Sequence, residues 1–447
     1  MKKRNPKSGI FLAIAVLVLL AAGAWFFWGR SPASTGPAAP SKGAVQEDEA
    51  SRLVAKMSPE VKVGQLMMIG LAGTTIDDQG QRQLEYCHAG NVILFDRNMD
   101  TPEQVQHLTK KIDTTIRKKS GVMPFIALDQ EGGQVLRMRK AFPPVPSEQA
   151  IGQSGQPAQA KQWAVTTGTE LKKLGINVNF APVVDLGSQA ERSYSLDPGV
   201  VTQFAHEAIA GYEQTGIWCS LKHFPGIGKV KTDPHIDGDS VNSSKDDLMK
   251  QDLKPFENLI QSEDNQKMFI MVSNVTFPAL DPNLPACVSK PIMTDLLRNT
   301  FGYQGLIVSD DMEMGAMAKH YAFADMGVMA IKAGADMVLV CHEYAHERET
   351  YDGLLKEYKN NAQFRALVDE KVTRIVRTKL NHLGPVFWCS KRYNAPNIPA
   401  SFCRLAKASP FGGSIIAGNR AAKAFSRLGR RISSWAMMSP PRALPSG

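Results

Sequence analysis

The stretch from residue 220 to residue 237, SLKHFPGIGKVKTDPHID, joins an apolar run to side chains that can move a proton. Asp233 precedes His235 by two residues, so its carboxylate could hold one ring nitrogen while the other exchanges a proton with a reacting oxygen. Lys222 and His223 end the apolar run and could donate to hydroxyl groups. The pattern predicts acid–base chemistry. The structural alternatives are a solvated loop histidine at His235, a salt-bridged lysine at Lys222 and a hydrogen-bonded core histidine at His223.

A second candidate is the pair Asp310–Asp311 in GLIVSDDMEM, directly after another apolar run. One aspartate could cap the following helix while the other faces a site. A carboxylate in that place could attack the anomeric carbon of a sugar and form a glycosyl-enzyme. A purely structural helix cap is the alternative for this pair.

The segment ALDQEGGQVLRMR, residues 127–139, supplies a third set. Asp129 ends an apolar run, Gly132 and Gly133 permit a tight turn, and Arg137 could point back toward Asp129. An aspartate can bind two neighbouring sugar hydroxyls at once. Alternatively, Asp129 and Arg137 form an ion pair that only fixes the loop.

Eight short apolar runs alternate with stretches of helical spacing between residues 51 and 383. Strands buried on both faces and separated by helices indicate a parallel sheet, and eight units predict a (β/α)8 barrel. An open doubly wound sheet is the alternative. Polar residues repeatedly follow the ends of the runs, which favours the barrel because its active site lies at those ends. The runs are 63–71, 91–95, 124–129, 177–185, 216–224, 267–274, 305–311 and 336–341.

The charge is unevenly distributed along the 447 residues, whose formal net charge is +9. Residues 384–447 carry ten Lys or Arg and no acid, whereas residues 31–383 carry 37 basic and 43 acidic residues. The middle of the chain therefore has no basic footprint for nucleic acid. The basic tail 384–447 is predicted to be poorly ordered; a basic arm, a small domain and a reading-frame error are the other interpretations.

The N-terminal residues 1–30 predict a signal anchor. Four cations precede the uncharged run 9–28, whose 20 residues would span about 30 Å of hydrocarbon. A cleaved signal peptide is the alternative. Residues 31–50 read as a flexible linker. The catalytic domain is expected outside the cytoplasm, anchored in the inner membrane and facing the periplasm, or secreted.

The six cysteines form no Cys-x-x-Cys pair and no zinc-like spacing with histidine. Cys219 and Cys341 lie in strand-like runs, which predicts buried thiols. Export would permit a disulfide, but the sequence identifies none.

Seven segments in order resemble the β-N-acetylhexosaminidase branch of glycoside hydrolase family 3. The resemblance covers about residues 52–382, nearly all of the predicted barrel. It implies a retaining hydrolase that removes terminal β-linked N-acetylglucosamine from glycans, without a metal or another cofactor. The segments are ALDQEGGQVLRMR, NFAPVVDL, ERSYS, CSLKHFPGIG, TDPH, DLKPF and GLIVSDDMEM.

Matched residue by residue, the resemblance implies that Asp310 is the nucleophile, His235 the general acid/base and Asp233 its orienting partner. The sugar-holding positions fall on Asp129, Arg137, Arg192, Lys222 and His223. A neutral imidazole beside an anionic nucleophile avoids two like charges in one dry pocket.

Four residues depart from the family's common pattern: Ile227 and Lys229 in the loop, Gln134, and Asn274 where a histidine is frequent. They affect the expected subsite shape and leaving-group preference. The altered loop and the tail leave a catalytically silent barrel that binds wall sugars as a second hypothesis. A family 3 enzyme acting on β-glucosides is the third.

Overall fold

The computed structural model describes residues 42–139, 142–187, 191–230 and 239–383. These residues form eight parallel strands surrounded by helices, and the strand order is β4-β3-β2-β1-β8-β7-β6-β5. The strands are β1 Met67–Ile69, β2 Asn91–Ile93, β3 Phe125–Leu128, β4 Val178–Asn179, β5 Cys219–Phe224, β6 Met268–Val272, β7 Leu306–Asp311 and β8 Met337–Val340.

The first and last strands pair directly, with Met68 of β1 opposite both Asn91 of β2 and Leu339 of β8. Between β4 and β5 the pairing is irregular: Asn179 N donates to Trp218 O over 2.8 Å and Val184 N donates to Lys222 O over 2.9 Å. These bonds close the sheet on itself. The predicted (β/α)8 barrel is confirmed.

The helices lie outside the strands and connect them. They are α1 Lys42–Lys56, α2 Pro59–Gln65, α3 Asp78–Tyr86, α4 Pro102–Ser120, α5 Glu148–Gln153, α6 Ala158–Lys173, α7 Pro198–Thr215, α8 Lys245–Lys250, α9 Lys254–Ser262, α10 Gly315–Ala318, α11 Phe323–Ala333, α12 Tyr344–Asn360 and α13 Ala362–Leu383. Short 3-10 helices cover Asp96–Asn98 and Ala286–Val288, and a π-helix covers Pro291–Thr300.

Local sequence signals explain the boundaries of α4. The Thr101 hydroxyl accepts a hydrogen bond from Gln104 N, Pro102 begins the helix, and Gly121 ends it with a φ of 73°. The helix buries Val105, Leu108, Ile112 and Ile116 against the sheet, a spacing of three or four residues.

The stretch 246–261, which has the spacing of one helix, forms two. α8 ends at Lys250 and α9 begins at Lys254. Pro255 has no N–H to donate to the preceding turn, so a continuous helix would lose a hydrogen bond at that position. Asp252, which is fully buried, lies in the break.

Charged side chains fill the floor of the barrel, the end at which the strands begin. Buried Asp336, just before β8, accepts hydrogen bonds from Arg298, Arg374 and the backbone N of Ile307. At the same end, Lys379 Nζ donates to Gln65 Oε1 over 2.8 Å and to the backbone O of Gly90, the residue before β2, over 3.0 Å.

The last helix, α13, ends at this floor. The ring of His382, one residue before its end, lies 4.3 Å from that of Trp218, which immediately precedes β5. The chain therefore leaves the barrel at Leu383 on the floor side.

The predicted linker 31–50 is wrong in its last part, because the chain is helical from Lys42. Ala50 and Val54 are buried within α1, and this packing stabilises a helix that the composition alone did not predict. Residues 1–41, which include the predicted anchor, and the tail 384–447 lie outside the described residues. Among the helices of the described part, none combines the length and apolar character needed to cross a bilayer.

The prediction that two of the cysteines are buried thiols is confirmed. Cys219 and Cys341 are buried free thiols, as are Cys87 and Cys287. Burial raises the pKa of all four thiols above the ordinary value.

Candidate active site

A cavity of about 290 Å³ opens at the end of the barrel where the strands finish, which is the mouth of the barrel. Six of the eight predicted site residues line this mouth cavity: Asp129, Arg137, Arg192, Lys222, His223 and Asp310. The other two, Asp233 and His235, lie outside the described residues, so their role stays a prediction.

Buried ion pairs hold one wall of the mouth cavity. Lys222 Nζ lies 2.7 Å from Asp129 Oδ1 and 2.6 Å from Glu131 Oε1, and the side chain of Lys222 is 2% exposed. Arg192 donates from Nε and Nη2 to the two carboxylate oxygens of Glu131 over 2.8 and 2.9 Å. Such bidentate pairing fixes both cations in place.

The charge state of Glu131 follows from these contacts. Burial alone would raise the pKa of Glu131, but the adjacent Lys222 and Arg192 lower it below its ordinary value. The carboxylate is therefore ionised at neutral pH and balances two buried cations. Glu131 lies two residues after Asp129 in the segment 127–139, but no feature of the local sequence marks it as a site residue.

Arg137 points back toward the mouth, as predicted. Its Nη2 lies 3.6 Å from Asp129 Oδ2, and its Nη1 lies 3.8 Å from Asp96 Oδ2. Both distances exceed that of a hydrogen bond, so the guanidinium remains able to bind a ligand. The turn needs its glycines: a Cβ on Gly132 would lie 2.2 Å from Pro146 O, and one on Gly133 would lie 2.6 Å from Ser147 Cβ.

His223 is oriented by Asp185, a fully buried carboxylate that follows the irregular segment after β4. Asp185 Oδ2 lies 2.8 Å from His223 Nδ1, and Asp185 Oδ1 accepts from the backbone N of His223 and of Ile227. The carboxylate can only accept, so Nδ1 carries the hydrogen. Nε2 is then an acceptor toward Arg192 Nη2, 3.4 Å away, and toward the cavity.

The predicted division of tasks between the two adjacent aspartates is confirmed in part: Asp310 lines the mouth cavity, but neither aspartate caps α10, whose N-cap residue Met314 makes no side-chain capping bond. Asp311 accepts from Glu313 N at Oδ1 over 3.0 Å and contacts His342 Nε2 at Oδ2, also over 3.0 Å. Asp310 Oδ1 accepts from the backbone N of Asp311, and no described residue forms a hydrogen bond with Asp310 Oδ2. The second oxygen of Asp310 is therefore the one available for chemistry in the mouth cavity.

The rim beside Asp311 is built from β8 and its following turn. The hydrogen bond to Asp311 raises the pKa of His342, while Arg97 Nη1 lies 3.0 Å from the other ring nitrogen. Glu313 accepts from the backbone N of Cys341 and of Glu343 over 2.7 and 2.9 Å. These bonds join the loops that follow β7 and β8.

A further buried carboxyl lies behind the site without a signal in the sequence. Glu148 Oε1 accepts from Val183 N over 2.9 Å, and Oε2 is buried with no partner among the described residues. Burial and the nearby Glu131 raise the pKa of Glu148 well above its ordinary value. The surroundings of Glu148 therefore favour its protonated form.

The departures from the family pattern keep the site intact. Ile227, Gln134 and Asn274 line the mouth cavity. Lys229 Nζ lies 2.6 Å from Oδ2 of buried Asp252. Burial raises the pKa of Asp252 and Lys229 opposes this rise, so the unusual lysine has a structural partner.

Comparisons with known proteins agree with this geometry. The family model described as "Glycosyl hydrolase family 3 N terminal domain" matches residues 58–378. Proteins named beta-hexosaminidase from Nitrosomonas eutropha and Idiomarina loihiensis are 35% and 32% identical over 288 and 294 residues. These alignments cover 62% and 64% of this chain and 80% and 86% of the relatives.

Solved structures give the same result. A family 3 beta-N-acetylglucosaminidase from Paenibacillus sp. str. FPU-7 is 32% identical with a TM-score of 0.70, over 77% of this chain and 65% of that one. A beta-N-acetylhexosaminidase from Beutenbergia cavernae is 29% identical with a TM-score of 0.67, over 73% of this chain and 99% of that one. The resemblance deduced from the motifs is confirmed, and the chain belongs to glycosyl hydrolase family 3.

Proposed function

We propose that the protein is a retaining β-N-acetylhexosaminidase that removes terminal N-acetylglucosamine from glycans. The observation that carries the proposal is the position of Asp310, which lines the same mouth cavity as five predicted sugar-binding residues and whose Oδ2 has no hydrogen-bond partner among the described residues. The names of the similar proteins support this choice of sugar.

In the proposed reaction, Asp129, Arg137, Arg192, Lys222 and His223 hold the terminal sugar through its hydroxyl and acetamido groups. His235, oriented by Asp233, protonates the glycosidic oxygen while Asp310 attacks the anomeric carbon. The same imidazole then takes a proton from water, which hydrolyses the glycosyl-enzyme. Two inversions give net retention.

The test is hydrolysis of a chromogenic β-N-acetylglucosaminide by purified protein. Asp310→Asn removes the nucleophile, and we expect kcat to fall by at least about 10³-fold. Nuclear magnetic resonance of the first product should show the β-anomer of N-acetylglucosamine before mutarotation. No turnover by folded wild type, or an α-anomer formed first, would overturn the proposal.

Asp311→Asn is the matched control for this test. The neighbouring carboxylate is bonded to Glu313 N and contacts His342. We expect this variant to form and hydrolyse a glycosyl-enzyme at a reduced rate. If Asp311→Asn were inactive and Asp310→Asn active, the assignment of the nucleophile would be wrong.

We also propose that residues 1–30 anchor the protein in the inner membrane, with the barrel in the periplasm. The uncharged run 9–28 and the four cations before it support this placement. Its substrates would then be cell-wall or chitin-derived fragments. Membrane fractionation with intact-mass measurement tests the proposal; a soluble protein of full mass would contradict it.

A further inference from the structure

A second cavity, of about 530 Å³, lies beside the mouth cavity and shares one residue, Asn274, with it. Asn274 follows β6, and Asp310 lies at the end of the neighbouring strand β7. The second cavity therefore begins next to the proposed reaction centre. Seven of the described residues that line it are polar: Asp239, Ser240, Asn274, Thr276, Asn283, His320 and Tyr321.

The walls of the second cavity are fixed by backbone hydrogen bonds. Thr276 N donates to Asp239 O over 3.1 Å, and Val241 N donates to Thr276 O over 2.9 Å, so the two segments run side by side. Buried Asp281 accepts from Asn283 N and from the Ser289 hydroxyl over 3.0 and 2.7 Å. The cavity is thus formed before any ligand arrives.

Asn274 presents an unused acceptor between the two cavities. Its Nδ2 donates to Asp311 O over 2.7 Å, and because a carbonyl oxygen can only accept, this bond fixes the orientation of the amide. Asn274 is 2% exposed, and its Oδ1 is buried without a partner among the described residues. A ligand hydroxyl at the junction would satisfy this oxygen.

The lining also indicates the charge of the ligand. Hydroxyl and amide groups both donate and accept, as sugar hydroxyls do, and the half-buried ring of Tyr321 can pack against the C–H face of a pyranose. Of the described residues that line the cavity, none is lysine or arginine, while Asp239 contributes a carboxylate. His320 adds an imidazole, but no lysine or arginine among these described residues would offset the charge of an anionic ligand beside the Asp239 carboxylate.

We propose that this second cavity is the leaving-group subsite and that it binds a neutral sugar. The inference rests on the proposed function, because the terminal N-acetylglucosamine must occupy the mouth cavity. It adds a preference that the mouth cavity does not set: a neutral leaving sugar, such as a second N-acetylglucosamine, is favoured over one that bears a carboxylate.

The experiment compares kcat/KM for three substrates of the full-length protein. They are N-acetyl-β-glucosaminyl fluoride, whose leaving group is one atom, the β-1,4-linked N-acetylglucosamine disaccharide, and a disaccharide of N-acetylglucosamine linked to N-acetylmuramic acid. We expect the neutral disaccharide to be preferred over the anionic one by about tenfold. Equal or reversed preference would overturn the inference.

Two variants test the residues. Asn283→Ala and Tyr321→Ala should each lower the ratio of kcat/KM for the neutral disaccharide to that for the fluoride by about tenfold. Tyr86→Ala, a partly exposed tyrosine on α3, is the control and should leave the ratio unchanged. Thermal unfolding of each variant checks that it folds.

The outcomes separate the two proposals. Fluoride hydrolysis by wild type together with unchanged ratios in both variants would overturn the subsite alone. Hydrolysis of none of the three substrates by folded wild type would overturn the proposed function and, with it, the subsite.

Discussion

Replacing Asp185 by asparagine should impair sugar binding through the tautomer of His223. In the native site Asp185 Oδ2 accepts from Nδ1–H of His223 over 2.8 Å, which leaves Nε2 as an acceptor 3.4 Å from Arg192 Nη2. If the side-chain oxygen of the asparagine still accepts from the backbone N–H groups of His223 and Ile227, its NH₂ group points toward His223 Nδ1. The imidazole must then move its hydrogen to Nε2, which would face the donor Arg192.

The size of the effect follows from the bond that is lost. A hydrogen bond to a charged group contributes about 1.5–3 kcal/mol. If sugar binding loses this amount, kcat/KM falls by about 10- to 150-fold. The ¹⁵N chemical shifts of the His223 ring should show the hydrogen on Nε2 in the variant. A tautomer change with kcat/KM within about twofold of wild type would refute the reasoning.

Asp336→Asn is the matched control, because Asp336 is equally buried but lies at the floor of the barrel. Its loss removes the counter-charge of Arg298 and Lys371, and it leaves Arg374 with Glu370 alone. We expect the free energy of unfolding to fall by about 3–5 kcal/mol, while the KM of the folded variant stays that of wild type. The opposite pattern, a raised KM with unchanged stability, would contradict the division between mouth and floor.

Glu131→Gln should lower the free energy of unfolding by about 3–5 kcal/mol. Because the pKa of Glu131 is lowered by its ion pairs, this deficit should shrink as pH falls below the ordinary value of 4.5. The partly exposed control Glu170→Gln should cost less than about 1 kcal/mol in denaturant titrations. Since the pKa of Glu148 is raised, its contribution to stability should be lost as pH rises above 4.5, and Glu148→Gln should reduce the fall in the free energy of unfolding over that range. Mass spectrometry after alkylation should find the four buried thiols unlabelled in native protein and labelled in denaturant. Labelling of Cys389 and Cys403 alone fits this burial. Labelling of any of the four buried cysteines in native protein contradicts it.

Most strands could be located from the sequence because both faces of each are buried and the runs are continuously apolar. The run 267–274 corresponds to β6 Met268–Val272, and 305–311 corresponds to β7 Leu306–Asp311. The run 177–185 gives only β4 Val178–Asn179. Pro182 lies within it and has no N–H for the ladder, so regular pairing stops before the strand would end.

The sequence could predict those site residues that follow the ends of the apolar runs or lie within the family motifs. Local pattern did not separate Asp310 from Asp311, and the family resemblance alone assigned the nucleophile to Asp310. The structure adds that Asp311 is the aspartate bonded to Glu313 N. Glu148 could not be predicted, because its burial depends on residues distant in the chain. Packing between elements, rather than local pattern, sets such an environment.

The exit of the chain at the floor has a practical consequence. His382 packs on Trp218 beneath β5, whereas the mouth opens at the far ends of the strands. A biotin attached just after Leu383 would tether the barrel to a sensor surface with its mouth toward the buffer. Long glycans could then be passed over immobilised protein without obstruction by the support.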